Sequence, residues 1–171
     1  PPRILKEAVK YADKEEVILI GASGNNGRSS ISYPAAYPEV ISVGAINQDK
    51  EKASYSNCGP KLDFVAPGSK IMSTNSPVID NGNKKYYTQS SGTSMAAPHV
   101  SGIAAILLNS GINPGQIKER LINTVEDLGA ANRDDKYGYG LIDINQALGL
   151  ETNNNSSEAN STSTSKDNSE N

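Results

Sequence analysis

One cysteine, one histidine, and no apolar run approaching the roughly 20 residues that span a bilayer: these scarcities bound the chain before any motif is read. A lone cysteine, Cys58, can form no intrachain disulfide and no cysteine-rich zinc site, and it reads as a small, buried, free thiol. Charge of one sign is also lacking. Sixteen Lys and Arg against 19 Asp and Glu leave a net −3 with no basic stripe, which argues against a nucleic-acid partner. No signal-peptide pattern stands at Pro1, but a chain that does not begin with methionine tells nothing of its localisation by that. What is there suffices for one core: 171 residues, 36% of them hydrophobic.

The apolar spacing of Ile4, Leu5, Ala8, Val9 and Ala12 predicts a helix to Asp13, entered through Pro1 and Pro2. Val17–Ala22 and Val40–Ile46 are continuous runs rich in β-branched residues, which predicts strands buried on both faces, with a shorter third over Leu62–Ala66. Helix followed by buried strand is half of a parallel α/β unit, and a sheet opening on a helix implies earlier strands outside this sequence. Ile71–Thr74 and Tyr86–Gln89 are expected to form a hairpin across Asn81-Gly82-Asn83. Asn113-Pro114 reads as an N-cap opening a helix that buries Ile117, Leu121 and Ile122; Asp143 caps a last short helix, and Gly138–Gly140 reads as a flexible turn. From Glu151 the chain is almost wholly Asn, Ser, Thr and charge, a composition that predicts disorder. The domain is therefore expected over residues 1–150 and a disordered tail over 151–171.

Ser91 to Gly102 is the stretch around which the rest is arranged. A Gly-Thr-Ser lead passes into a helix over about Thr93–Asn109 that has no charge between Met95 and Leu108, so burial all round is expected, with Pro98 tolerated in its first turn. Ser94 stands where the unpaired N–H groups of a helix N-terminus point outward. It can be a nucleophile backed by those donors, or simply a helix cap. Ser23-Gly24-Asn25-Asn26-Gly27 follows the first strand at its C-terminal end, where open α/β sheets bind ligands, although Asn-Asn-Gly is turn chemistry in its own right.

Gly92-Thr93-Ser94-Met95-Ala96-Ala97-Pro98-His99-Val100 resembles the serine motif of the subtilisin family of serine proteases. Ser23-Gly24-Asn25, Tyr33-Pro34 through Tyr37-Pro38, Val43-Gly44-Ala45, Ala66-Pro67-Gly68 and Gly138-Tyr139-Gly140-Leu141-Ile142 follow the same family's order. The resemblance covers roughly residues 4–149. It implies an α/β, three-layer fold with a mostly parallel sheet between helices, of which this is the C-terminal part. It also implies Ser94 as nucleophile, with the Asn25 side-chain amide joining the Ser94 N–H in an oxyanion hole.

The family's base and orienting carboxylate have no counterpart here, because the resemblance begins after them. His99 lies five residues beyond Ser94, and at about 100° per residue the two point roughly 140° apart, so it is no base. The expectation is an autoproteolytically nicked protease whose N-terminal fragment, a bound second chain, supplies Asp and His. By resemblance Ala22, Ser23, Gly24 and Ser32 wall the substrate pocket. None is acidic, so selection for Lys or Arg finds no support. The carbonyls of Ala35, Tyr37 and Val40 with the Asp63 carboxylate form a weak candidate cation site, suited by its oxygen ligands to Ca²⁺ or Na⁺, with Asp63 as an ordinary strand-end residue the alternative. Within the enzyme class the expectation is a secreted or cell-surface processing protease, such as one removing leader peptides from lantibiotic precursors. Broad extracellular proteolysis and a non-catalytic binding module are the alternatives.

Overall fold

The computed structural model describes residues 2–80 and 83–150. The hairpin turn at Asn81-Gly82, the tail at 151–171 and Pro1 lie outside the described residues. Helix α1 (Arg3–Lys14) leads to β1 (Leu19–Ala22), β2 (Val40–Ile46) and β3 (Phe64–Pro67), which pair in parallel in that order. Leu19 opposes Val40 and Val43 opposes Phe64. Alternation along β2, buried throughout, divides the core between two faces. Ile41, Val43 and Ala45 meet Val100, Ile103 and Leu107 of α2 (Thr93–Asn109), backed by Ile117 and Leu121 of α3 (Pro114–Ile122). On the opposite face Val40 packs with Val9 of α1 and Tyr37, and Ile46 with Leu62, Val65 and Tyr137. Helices on both faces of a parallel sheet are what the sequence predicts.

Several local expectations are corrected. Strand β1 begins at Leu19, not Val17, and only Gly21 on it is buried. It is an edge strand, so nothing among the described residues covers its outer side. Helix α2 is not buried all round: Ser101, Gly102, Ala105, Ile106 and Leu108 are exposed, because only one side meets the sheet. Pro98 falls in its second turn, four residues after Ser94, and so denies the Ser94 carbonyl its intrahelical donor. Asn113 does occupy the N-cap position of α3, but its side chain makes no capping hydrogen bond. Asp143 does cap α4 (Ile144–Leu148), accepting from the N–H groups of Asn145 and Gln146. Cys58 is free but only half-buried.

Gly138–Gly140 is not a flexible turn. Tyr139 N–H donates to the Asp63 carbonyl at 2.7 Å, and Val65 N–H to the Gly140 carbonyl at 3.0 Å, locking the segment along β3. At Gly138 (φ 67°) a Cβ would lie 2.3 Å from the Asp63 carbonyl oxygen, so glycine is required there. The hairpin is longer than the sequence suggests: β4 (Ile71–Asp80) and β5 (Asn83–Ser90) pair antiparallel, with a bulge between Thr74 and Val78.

Candidate active site

Two segments meet at the C-terminal edge of the sheet: the loop leaving β1 and the turn entering α2. Ser23 N–H donates to the Val43 carbonyl at 2.9 Å, prolonging the β1–β2 ladder by one residue. The chain then turns at Gly24 (φ 110°), where a Cβ would sit 2.4 Å from Asn57 Nδ2. Asn57, 1% exposed, organises this loop. Its Oδ1 accepts from the N–H groups of Asn26 and Arg28, each at 3.0 Å. Its Nδ2 donates to the Ser23 carbonyl at 3.2 Å and to Ser32 Oγ at 3.3 Å. Sequence reasoning missed Asn57, since no local pattern distinguishes it from an ordinary turn asparagine.

The loop so held places Asn25 against the start of α2. Thr93, fully buried, donates to Asn25 Oδ1 twice, from its N–H at 2.9 Å and from its hydroxyl at 2.8 Å. The same hydroxyl accepts from Gly24 N–H at 3.2 Å. With its oxygen held, the Asn25 amide presents Nδ2 beside Gly92, where a Cβ would lie 3.3 Å from it. Gly92 therefore keeps this approach open. Ser94, two residues on, is exposed, and among the described residues neither its N–H nor its hydroxyl has a hydrogen-bond partner. Two unpaired N–H donors and one unpaired hydroxyl at a helix N-terminus form a corner that can stabilise an anion beside the Ser94 hydroxyl.

Beside Ser94 opens a cavity of about 480 Å³, lined by Met95, Pro98 and His99 of α2 and by Ile71, Ser73, Thr88 and Ser90 of the hairpin. His99 lines it without reaching Ser94: its Nδ1 lies 2.8 Å from the Met95 carbonyl, one turn back on its own helix. As expected from the helical angle, it is not paired with the nucleophile.

The two expected substrate walls are joined. Ser32 N–H donates to the Ser23 carbonyl at 2.9 Å, tying the segment at Ala22, Ser23 and Gly24 to Ser32. Ser23 is fully buried with its hydroxyl on the Asn57 carbonyl at 3.0 Å, so it holds the wall from beneath and exposes no atom of its own.

The candidate cation site fits a metal poorly. Asp63 Oδ2 accepts from Ser42 N–H at 2.9 Å, and Oδ1 is paired with Lys118 Nζ at 2.8 Å. Lys61 Nζ donates to the Ala36 carbonyl at 3.1 Å, and the Tyr37 carbonyl accepts from Val40 N–H at 3.1 Å. With Ala35, Tyr37, Val40 and Asp63 contributing a single carboxylate already neutralised by an ammonium, the set does not suit a divalent ion. Among the described residues no three His, Cys, Asp or Glu side chains gather elsewhere to hold one. Nearby, burial first, then Tyr33 and Glu39, raises the Tyr37 hydroxyl above its ordinary pKa.

Comparison with known proteins agrees with this architecture. The model of the Subtilase family (peptidase S8) matches residues 2–140. Subtilisin BL of Lederbergia lenta is 41% identical over 151 residues, 86% of this chain and 52% of its own length. The minor extracellular protease Epr of Bacillus subtilis (strain 168) is 39% identical over 145 residues, 82% of this chain and 21% of its own. Among solved structures, one titled a lanthipeptide protease superposes with a TM-score of 0.77 at 28% identity, over 85% of this chain and 54% of that one. The chain thus spans about half or less of the length of these relatives.

Proposed function

This chain belongs to the subtilase family of serine peptidases, and on that footing we propose that it forms the nucleophile-bearing part of an endopeptidase working through an acyl-enzyme on Ser94. The observation that carries the reading is the double donation from Thr93 to Asn25 Oδ1, which leaves Asn25 Nδ2 and Ser94 N–H jointly free. The Ser94 hydroxyl adds to the scissile carbonyl carbon while its proton passes to a base. The carbonyl oxygen becomes an oxyanion held by those two donors. Collapse breaks the C–N bond, and the amine leaves with the proton. Water then repeats the sequence on the ester and frees Ser94.

The base comes from residues outside this sequence. An imidazole with its orienting carboxylate, carried on the N-terminal part of the protease, enters the cavity beside Ser94. A fluorophosphonate probe tests the whole scheme. Ser94 is labelled when the chain is combined with the N-terminal part and left untouched when the chain is alone. Labelling of the isolated chain would refute the division of labour, and no labelling of the combination would refute the enzyme.

The substrate reading is a secreted processing protease that removes leader peptides. It draws support from the likeness to the lanthipeptide protease structure. Cleavage of a lanthipeptide precursor at one bond, with casein left intact, is the expected result. Degradation of both would favour broad extracellular proteolysis, as the 41% identity to subtilisin BL allows.

A further inference from the structure

The β4–β5 hairpin outreaches the cavity it lines. The cavity ends at Asn75 on β4 and Thr88 on β5, yet the strands continue to Asp80 and from Asn83. Its inner end is fastened to the nucleophile turn. Gly92 N–H donates to the Gly68 carbonyl at 2.8 Å, and Lys70 N–H to Ser91 Oγ at 2.9 Å. Tyr55 braces the same corner through its hydroxyl, 2.7 Å from the Gly68 carbonyl. The arm is therefore anchored beside Ser94, at Ser91 and Gly92.

Register shows what its outer part presents. Ile71 opposes Ser90 and Ser73 opposes Thr88, and all four line the cavity. Alternate positions on β5 share a face, so the cavity face continues through Tyr86 to Lys84, which opposes Ile79. Tyr86 is 53% exposed and Ile79 is 72% exposed. At about 3.3 Å per residue, Tyr86 stands about 13 Å beyond Ser90 and Lys84 about 7 Å further. The charged residues of the arm are Asp80, Lys84 and Lys85, a positive balance on a chain of net −3. An aromatic and an aliphatic side chain followed by a cation, in line with a catalytic cavity, make an extended recognition strip.

The segments Ala22–Gly24 and Ser32 form no part of this cavity; with those segments taken, by the family resemblance, as the pocket for the residue before the cut, the cavity and arm are assigned to the leaving-group part of a substrate. We infer that the outer face of the hairpin, Tyr86, Ile79 and Lys84, is a substrate-recognition arm for that part of the peptide. It favours an apolar residue about four positions beyond the cut, followed by acidic residues. The inference rests on Ser94 being the nucleophile, because that sets which side is which.

Binding measured in the complete protease carrying Ser94→Ala separates the two ideas, since it needs no turnover. The probes are short fluorescein-labelled synthetic peptides of one sequence. Beyond the midpoint they carry Phe then Asp-Asp, Phe then Lys-Lys, or serine throughout. Fluorescence anisotropy is expected to show the Phe/Asp peptide binding about tenfold tighter than the serine peptide, the sum of a partly buried aromatic and an exposed ion pair. Tyr86→Ser removes most of that preference, and Lys84→Glu turns it toward the Phe/Lys peptide. Equal binding of the three peptides, or a preference untouched by both substitutions, overturns the arm. So does a hairpin that instead holds the rest of the protease: both variants would then lose the co-purifying N-terminal part while peptide preference stayed the same. Fluorophosphonate labelling of the protein with Ser94 intact reads the catalytic proposal separately.

Discussion

Thr93 holds the Asn25 side chain by one oxygen, from its N–H at 2.9 Å and its hydroxyl at 2.8 Å. An asparagine amide has two ends that look alike in size but differ in function. Two donors on Oδ1 settle which end faces the cleft, because turning the amide over would set NH₂ against N–H and O–H. In the proposed mechanism the oxyanion donor is thus oriented before substrate arrives. This is what makes an uncharged amide effective, since no reorganisation is needed as charge develops.

Asn25→Leu removes that donor while leaving an exposed side chain of similar size. In the complete protease kcat should fall about 10²–10³-fold, a scale borrowed from subtilisin's own oxyanion asparagine, with about 1–3 kcal/mol of stability lost because the buried Thr93 N–H and hydroxyl lose their acceptor. Steady-state kinetics beside a melting curve check both halves, and a loss below tenfold would remove Asn25 from the oxyanion hole.

Thr93→Val keeps shape but deletes the hydroxyl that donates to Asn25 and accepts from Gly24 N–H. Asn25 then rests on one donor instead of two. The expected result is a kcat about tenfold lower with KM nearly unchanged, and about 1–2 kcal/mol of lost stability. Thr93→Ser restores kcat. A change in KM alone would place Thr93 in substrate binding instead.

Asn57→Ala strips the acceptor from the N–H groups of Asn26 and Arg28 and the donor from the Ser23 carbonyl. Those three hydrogen bonds are lost and the truncated buried side chain leaves a cavity, so the complete protein should lose about 2–3 kcal/mol in denaturant unfolding. Hydrogen exchange at Asn26 and Arg28 should quicken while β2 amides stay protected. Unaltered exchange would show that the loop holds itself.

Met95 lines the cavity with Ser94 and is half-buried, open enough to meet an oxidant. Peroxide should convert it to the sulfoxide, placing a polar oxygen beside the acyl site and slowing turnover. Met95→Ala protein should keep its activity through the same treatment. Equal inactivation of both would move the sensitive group elsewhere.

Much of the fold was legible because its signals are local. Val40–Ile46 reads as a fully buried strand from its unbroken run of small and β-branched residues, and the structure buries every residue of it. Asp143 announces a cap and makes both capping bonds. The errors share one cause. Val17 carries the same apolar signature as Val43, and α2 is as free of charge on its exposed face as on its packed one. Whether such a surface is covered depends on neighbours that composition does not name. Gly138 was misjudged for the same reason: its need for glycine comes from the Asp63 carbonyl, 75 positions earlier in the chain.

By itself the sequence determined the family, and it singled out Ser94 and Asn25 as the residues on which the proposed chemistry rests. Their chemistry is written in residue types at short spacings, and a helix angle alone excluded His99. Only the tertiary structure decided how they work together. Asn25 and Thr93 are far apart in the chain and meet because a parallel β1–β2 pair brings the first loop over the N-terminus of α2. Asn57 becomes a loop organiser by being buried where two N–H groups need an acceptor, and Asp63 becomes the ion-pair partner of Lys118. Each role is a distance across the fold, and distance between remote residues is set by packing rather than by order along the chain.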